Sequence, residues 1–448
     1  MVIFLGNLMI GQPPNQGQTH MFLPNLSEFI NPRHELCLLA DGINWDDFEL
    51  GFSRLYSAMG APAKPVRLMV GLLLLKQIYG LSDESVMAEW VSNPYFQYFC
   101  GESVFQWKFP CDPSDLVHFR NRIGKDGVEK ILAASILMHG DEVLAEDVSI
   151  DTTVQEKNIT FPTDTKLAVK VIGKCVSIAK KEKIKLRQSY RFVLRGLLRT
   201  ANSRSRNKAK QRASARRRIR TIAGRVLRDL VRKLEATENT KHDKILGICG
   251  RVLKQQRHDK DKIYSLHEPE TGCIAKGKDH KKYEFGSKVS FAVAQKSNVI
   301  LAAVSFKGNP NDNKTLVETI EQQERLTGVR PKKAFVDRGY KSRMIGTTKV
   351  QAPDNGKTRT KAEKKVVRRS FQRRAAIEPI IGHTKSSYGM GRNYLKGEIG
   401  DKINAMLAAT AFNFKSWMRK AITQFFFVLK LVRELCRVPQ TPIFRHTF

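Results

Sequence analysis

Three carboxylates, far apart in the chain, hold positions from which they could serve one site. Asp151 lies in Ser149-Ile150-Asp151-Thr152-Thr153, where apolar and polar residues alternate as in a half-buried strand. Asp337 ends the short apolar run Lys333-Ala334-Phe335-Val336-Asp337 and leads into the turn Arg338-Gly339-Tyr340. Glu378 belongs to Ala375-Ala376-Ile377-Glu378, a helix-forming stretch. Acids from two strands and one helix can meet at a sheet edge and hold two Mg2+ ions, because hard cations take oxygen ligands; Mn2+ shares that preference. Two such ions about 3.5–4 Å apart stabilise both the entering and the leaving oxygen of an in-line phosphoryl displacement. Taken singly, each acid has a plainer reading, since a strand-end Asp closes turns and a first-turn Glu suits the helix dipole. Asp164, Glu146 and Asp147 compete as ligands, although Asp164 reads better as the N-cap of the next helix and the other two precede the apolar part of the strand.

The neighbours of Glu378 bring cations to the same place. On one idealised helix at 100° per residue, Arg374, Glu378 and Lys385 fall at about 300°, 340° and 320° from Phe371, on a single face. Such a stripe would present a ligand flanked by two cations, a composition suited to gripping a scissile phosphate. Pro379 disfavours helical geometry at Glu378, so a kink or a fresh start is expected there.

The elements that must carry these residues can be traced along the chain. Residues 1–20 read as a loose extension, with Met9 or Met21 as alternative starts, and 21–125 as helical. Within that region Arg67–Ile78, the break Tyr79-Gly80-Leu81 and a helix capped by Ser82 fit a helix-turn-helix or a plain helical hairpin. Strand signals start near Val143 and run through Val148, Ile150 and Thr152. They resume at Val289–Ala294 and Val299–Phe306 as neighbouring hairpin strands. Asn311-Asp312 opens a helix that ends before Gly328.

Charge sets the partner class. With 78 Lys and Arg against 43 Asp and Glu, the 448 residues carry +35. Such an excess repels itself unless an anion lies against it, and nucleic acid is the usual one, an anionic membrane surface the lesser option. Within 181–235 there are 20 cations and 3 acids, so +17 of the total sits in one helical stretch of a larger segment, 166–262. Arg216, Arg217, Arg218 and Arg220 are its densest run and the first candidates for phosphate contact. The 7 cysteines form no CxxC pair and read as thiols of a reducing compartment. No signal peptide is legible, and the apolar run Phe425–Leu429 is far below the ~20 residues of a spanning helix. A cytoplasmic, nucleoid-associated protein without a membrane partner is expected.

At this point the sequence resembles the bacterial insertion-sequence transposases with a DDE active site on a ribonuclease-H-like fold. Three stretches carry the likeness: Ile150–Ile159 with Pro162-Thr163-Asp164; Phe335–Tyr340; and Ile377–Lys385 continuing through Met390–Gly397 to Gly400–Ala405. Such transposases have a Tyr-x2-Arg-x3-Glu-x6-Lys signature, which falls here on Phe371, Arg374, Glu378 and Lys385, with Phe371 lacking the phenolic hydroxyl. Ile30–Leu36 through Asn93–Gly101 looks like the helical domain preceding the catalytic core in that family.

The resemblance implies an α/β fold, a mixed sheet flanked by helices. An N-terminal helical DNA-binding domain (21–125) would precede a catalytic domain (140–420) interrupted by the basic insertion 166–262, and 421–448 would be a tail. It makes Asp151, Asp337 and Glu378 the ligands of two Mg2+ and gives Arg374, Lys385, Phe371 and Arg338 contacts to DNA. The implied activity is Mg2+-dependent cleavage at the terminal inverted repeats of an element, then attack of the freed 3′-OH on target DNA, by a homodimer in a synaptic complex. Rival readings are a decayed member that only binds DNA, a nonspecific metal-dependent nuclease and a structural RNA-binding protein.

Overall fold

A computed structural model describes residues 24–435 apart from 58, 60–62, 145, 257, 276–281 and 354–359. The expected extension 1–20, both alternative starts and everything past 435 lie outside the described residues. The chain opens with short helices: α1 (Leu26–Phe29), α2 (Glu35–Gly42), α3 (Trp45–Ser53), α4 (Val66–Ile78), α5 (Asp83–Ser92) and α6 (Pro94–Phe99). Their boundaries follow local chemistry. Ser82 caps α5 by accepting from the Ser85 N–H, and Asn93 caps α6, with Pro94 at the first helical position where no N–H is needed. α4 is buried all round, Leu72 to Leu75 having no exposed surface, so it is a core helix. The exposed side of α5 offers Glu84 and Glu89 and the helix contains no cation, which favours the plain hairpin over a groove reader.

α7 (Pro113–Leu137) corrects the expected end of helical structure near 125. Gly124 takes a left-handed φ of 58°, and the chain resumes as helix beyond it. This second half buries Val128, Ile131, Leu132 and Ile136 in the same core as the sheet residues Phe291, Ile300 and Leu301.

The sheet is built from β1 (Val148–Glu156), β2 (Gly272–Ala275), β3 (Tyr283–Ala294), β4 (Ile300–Phe306), β5 (Lys333–Phe335), β6 (Arg343–Ile345) and β7 (Thr348–Gln351). Its order is β2-β3-β1-β5-β7-β6, with β4 also on β3. β1, β3 and β4 are antiparallel neighbours, while β5 and β7 run parallel to β1. An antiparallel meander extended by two parallel strands is the ribonuclease-H-like arrangement, here flanked by helices. β1 starts at Val148; the residues around Val143 form a 3-10 turn instead. Gly286 of β3 faces Glu156 of β1 so closely that a Cβ would lie 1.9 Å from the Gln155 carbonyl oxygen. Gly286→Ala is therefore expected to force the strands apart and cost about 3 kcal/mol or more, read as a fall in thermal midpoint.

Between β1 and β2 come α8 (Asp164–Lys181), α9 (Arg191–Ala201), α10 (Ala209–Glu235) and α11 (Asp243–Lys254). They share an apolar core of their own, with Val171, Cys175, Ile219, Ala223, Leu230 and Cys249 at its centre. The N-cap of α8 is Thr163, whose hydroxyl accepts from Lys166 N–H; Asp164 is the first helical residue, not the cap. After the meander, α12 (Asp312–Thr327) starts at the expected Asn311 cap and ends on Gly328 with φ 69°. α13 (Lys361–Arg374), α14 (Ile377–Ser386) and α15 (Gly397–Leu435) complete the chain. α15 runs through the expected boundary at 420. Among the described residues no helix is long and apolar enough to cross a membrane.

Candidate active site where two parallel strands end

Pairing of β1 with β5 sets Val148 beside Ala334 and Ser149 beside Phe335, an offset of 186 residues. The same offset carries Asp151 level with Asp337, just past the end of β5. Residues level with each other on parallel strands point to one face, so the register alone brings these two acids together. Arg374 confirms the proximity. Its guanidinium donates to Asp151 Oδ2 at 3.2 Å and lies 3.7 Å from Asp337 Oδ1.

The two carboxylates differ in surroundings. Asp151 is mostly buried and Asp337 is open to solvent. Burial pushes the Asp151 carboxyl above the usual range, and the negative charges of Asp337 and Asp312 add to that. The N–H of Thr152, donating to Asp151 Oδ1 at 2.8 Å, and the Arg374 guanidinium work against it. On Asp337, the N–H of Arg338 donates to Oδ1 at 2.7 Å, so Arg338 touches the site through its backbone. Two hard oxygen groups held around one positive charge form a donor set that suits a divalent cation.

Sequence reasoning missed the next layer. Asp312, the first residue of α12, accepts from the Thr152 hydroxyl at 2.8 Å and from Lys288 Nζ at 2.9 Å, which pins α12 to β1 beside Asp151. The signal was present in the position of Lys288, a cation beside the apolar alternation of Val289, Phe291 and Val293, where burial demands a partner.

The single helical stripe expected over 371–385 does not form. α13 stops at Arg374, Ala375 and Ala376 form a turn, and Glu378 lies in the first turn of a new helix. Pro379 is the cause, because its ring nitrogen has no N–H for the Ala375 carbonyl four residues back and its ring crowds that carbonyl, so it is tolerated only in the first turn of a new helix. Arg374 and Glu378 are thus on different helices, whereas Glu378 and Lys385 stay on one face of α14. Among the described residues no three His, Cys, Asp or Glu side chains group as a metal site, so Glu378 does not join Asp151 and Asp337.

Phe371 packs edge-on against Phe335, ring centroids 5.5 Å apart. It fastens α13 to the strand leading into Asp337 by apolar contact alone. Gln295 adds a second tie, its amide donating to the Ser370 carbonyl and to the Ser149 hydroxyl.

The candidate arginines of α10 fall into two groups. Arg216 donates to the Ala201 carbonyl at 3.3 Å and Arg220 to the Leu253 carbonyl at 3.0 Å, closing the ends of α9 and α11. Arg217 and Arg218 point to solvent.

The remaining motif residues converge at the far end of β1. Lys157, with 4% of its side chain exposed, reaches Asp401 at 2.8 Å and Glu268 at 3.4 Å and donates to the Leu395 carbonyl. Asn393 donates to Asp401 at 2.6 Å, and Asn404 to Gln155 at 2.9 Å. The stretches Gln155–Ile159 and Gly391–Ala405 are therefore halves of one buried polar knot, which explains their shared unusual composition.

Comparison with known proteins agrees with this picture. Residues 24–122 match the family described as Transposase domain (DUF772), and residues 251–414 match the family described as Transposase DDE domain. An Uncharacterized protein ORF8 in nfe locus of Rhizobium meliloti is 45% identical over 183 residues, 40% of this chain and 88% of the relative. No solved structure matches the chain. β1 and its Asp151 lie between the two matched ranges, within a sheet that the second range completes. Similar to transposases on both sides of its basic helices, the chain belongs to the insertion-sequence DDE transposases.

Proposed function

We propose that the protein binds the terminal inverted repeats of its own element and cuts and rejoins DNA there, with Asp151, Asp337 and Glu378 as ligands of two Mg2+ ions. The observation that carries this reading is the level placement of Asp151 and Asp337 around one guanidinium. Magnesium at these oxygens would supply the positive charge that phosphoryl transfer needs in its transition state, a chemistry that asks little covalent help of the protein. Asp151 and Asp337 orient toward that charge because β1 and β5 fix their backbones. Glu378 approaches by motion at the Ala375-Ala376 break, carrying Lys385 on the same helix face toward the DNA strand. Arg374 bridges the two aspartates until then and afterwards grips a phosphate, while Arg338, Arg217 and Arg218 are the further candidates for contact with DNA. Phe371 keeps α13 seated on β5. Joining two ends at once calls for a homodimer in a synaptic complex, and a DNA partner places the protein on the nucleoid.

The test is a Mg2+-dependent cleavage and joining assay on DNA flanking the encoding gene. Wild type is expected to nick and join it, and Glu378→Gln to bind it with little or no cutting. Cuts without joined products would make the protein a nuclease. A binding-only protein is favoured by one observation, the separation of Glu378 from the aspartates; wild type that behaves like Glu378→Gln would establish it.

A further inference from the structure

α10 carries Arg225, Arg228 and Arg232 at successive turns of one face. The loop between α8 and α9 folds over that face and adds Arg187 and Tyr190, closing a cavity of about 290 Å3. We propose that this cavity is a phosphate seat, taking one phosphodiester of duplex DNA bound along the helical insertion. The inference rests on the DNA-binding reading above and names the place of contact, a different one from the Arg216–Arg220 run.

The charge balance of the cavity argues for an anion. Asp229 is its one acid, and it is already engaged: it accepts from the Arg187 N–H at 3.0 Å and lies 3.5 Å from Lys233 Nζ. These bonds hold the Asp229 carboxyl below the usual range, so it stays ionised as the anchor of the loop. Its contact of 4.0 Å with the Arg187 guanidinium leaves Arg225, Arg228 and Arg232 without a carboxylate partner among the described residues of the cavity. Arg225, Arg228 and Arg232 are then exposed like charges three, four and seven residues apart on one helix, a mutual repulsion that an anion among them relieves. The cavity also borders the start of α9, which has no acid in its first turn and no side-chain cap to offset the positive end of the helix. Planar guanidinium forks from two directions match the two free oxygens of a phosphodiester better than ammonium groups do.

The test measures binding of the full chain to a generic DNA duplex across a salt series. Arg225→Gln with Arg228→Gln is expected to lower the slope of log K against log salt by about 0.9 and to weaken binding about eightfold at 0.1 M salt. Arg225→Lys with Arg228→Lys keeps the charge but loses the forks, and is expected to bind more weakly than wild type. Both pairs are expected to melt no lower than wild type, because like-charge repulsion is relieved or unchanged. An unchanged slope in the Gln pair, or wild-type affinity in the Lys pair, overturns the phosphate seat while duplex binding itself stands. Wild type that binds no duplex overturns the DNA reading together with it.

Discussion

Asp151→Asn is expected to lower strand cleavage and joining by about 10³-fold or more while duplex DNA still binds, and to raise the melting temperature at pH 7. The two effects share one cause. Asp151 is held in a poorly hydrated place beside Asp337 and Asp312, and its carboxyl is pushed above the ordinary value near 3.8. For a group raised in the folded state, the stabilising contribution belongs to the protonated form. It is complete below the unfolded value and is lost as pH climbs through the folded one. At pH 7 the ionised carboxylate therefore strains the fold, and Asn removes the strain along with the activity. The gain in melting temperature should shrink as pH falls and vanish near pH 3.8. Melting curves of both proteins between pH 3.5 and 7.5 check this, and a variant that melts below wild type at pH 7 would contradict it.

The second large effect lies away from the chemistry. Lys157→Ala leaves Asp401 and Glu268 buried without their cation, and Asn393 and Gly397 donating to carboxylates that have lost their balance. Breaking a buried pair by removing one partner costs about 3–5 kcal/mol, a large share of the stability of an ordinary domain. Urea unfolding should show the midpoint falling accordingly. Adding Asp401→Asn to Lys157→Ala should recover part of the loss, since the neutral amide keeps its bond to Asn393 without a stranded charge. A double variant as unstable as the sum of the two single ones would show the groups to be uncoupled.

Much of this architecture was legible beforehand because it rests on local rules. The alternation of Val289, Phe291 and Val293 and the apolar run Ile300–Val304 announce two strands of a hairpin, and Asn311 and Gly328 mark where α12 begins and ends. β2, β6 and β7 were not read, since 3 or 4 residues are too few for alternation to register. α7 extends past the point where Gly124 signals a stop, because burial of Val128 and Ile131 outweighs one left-handed residue. In the site, Asp151 and Asp337 stood out as polar ends of strand-like runs, but their equal height is a property of register, which no local pattern encodes. The helical wheel through Phe371 and Lys385 failed at Pro379 for a reason visible in the sequence itself. Arg216 and Arg220 drew notice as part of a charge run, whereas their hydrogen bonds to carbonyls of α9 and α11 depend on how the helices pack.

The contact between Lys157 and Glu268 has a further meaning for how the protein can change over time. These two residues stand at the two feet of the basic four-helix unit, so its entry and exit are tied a few ångströms apart while the unit keeps its own apolar centre. A block of chain attached in that way can be lengthened, shortened or exchanged without altering the strands on either side. Related chains are thus free to vary the charge and shape of this unit while the strands that carry Asp151 and Asp337 are inherited intact.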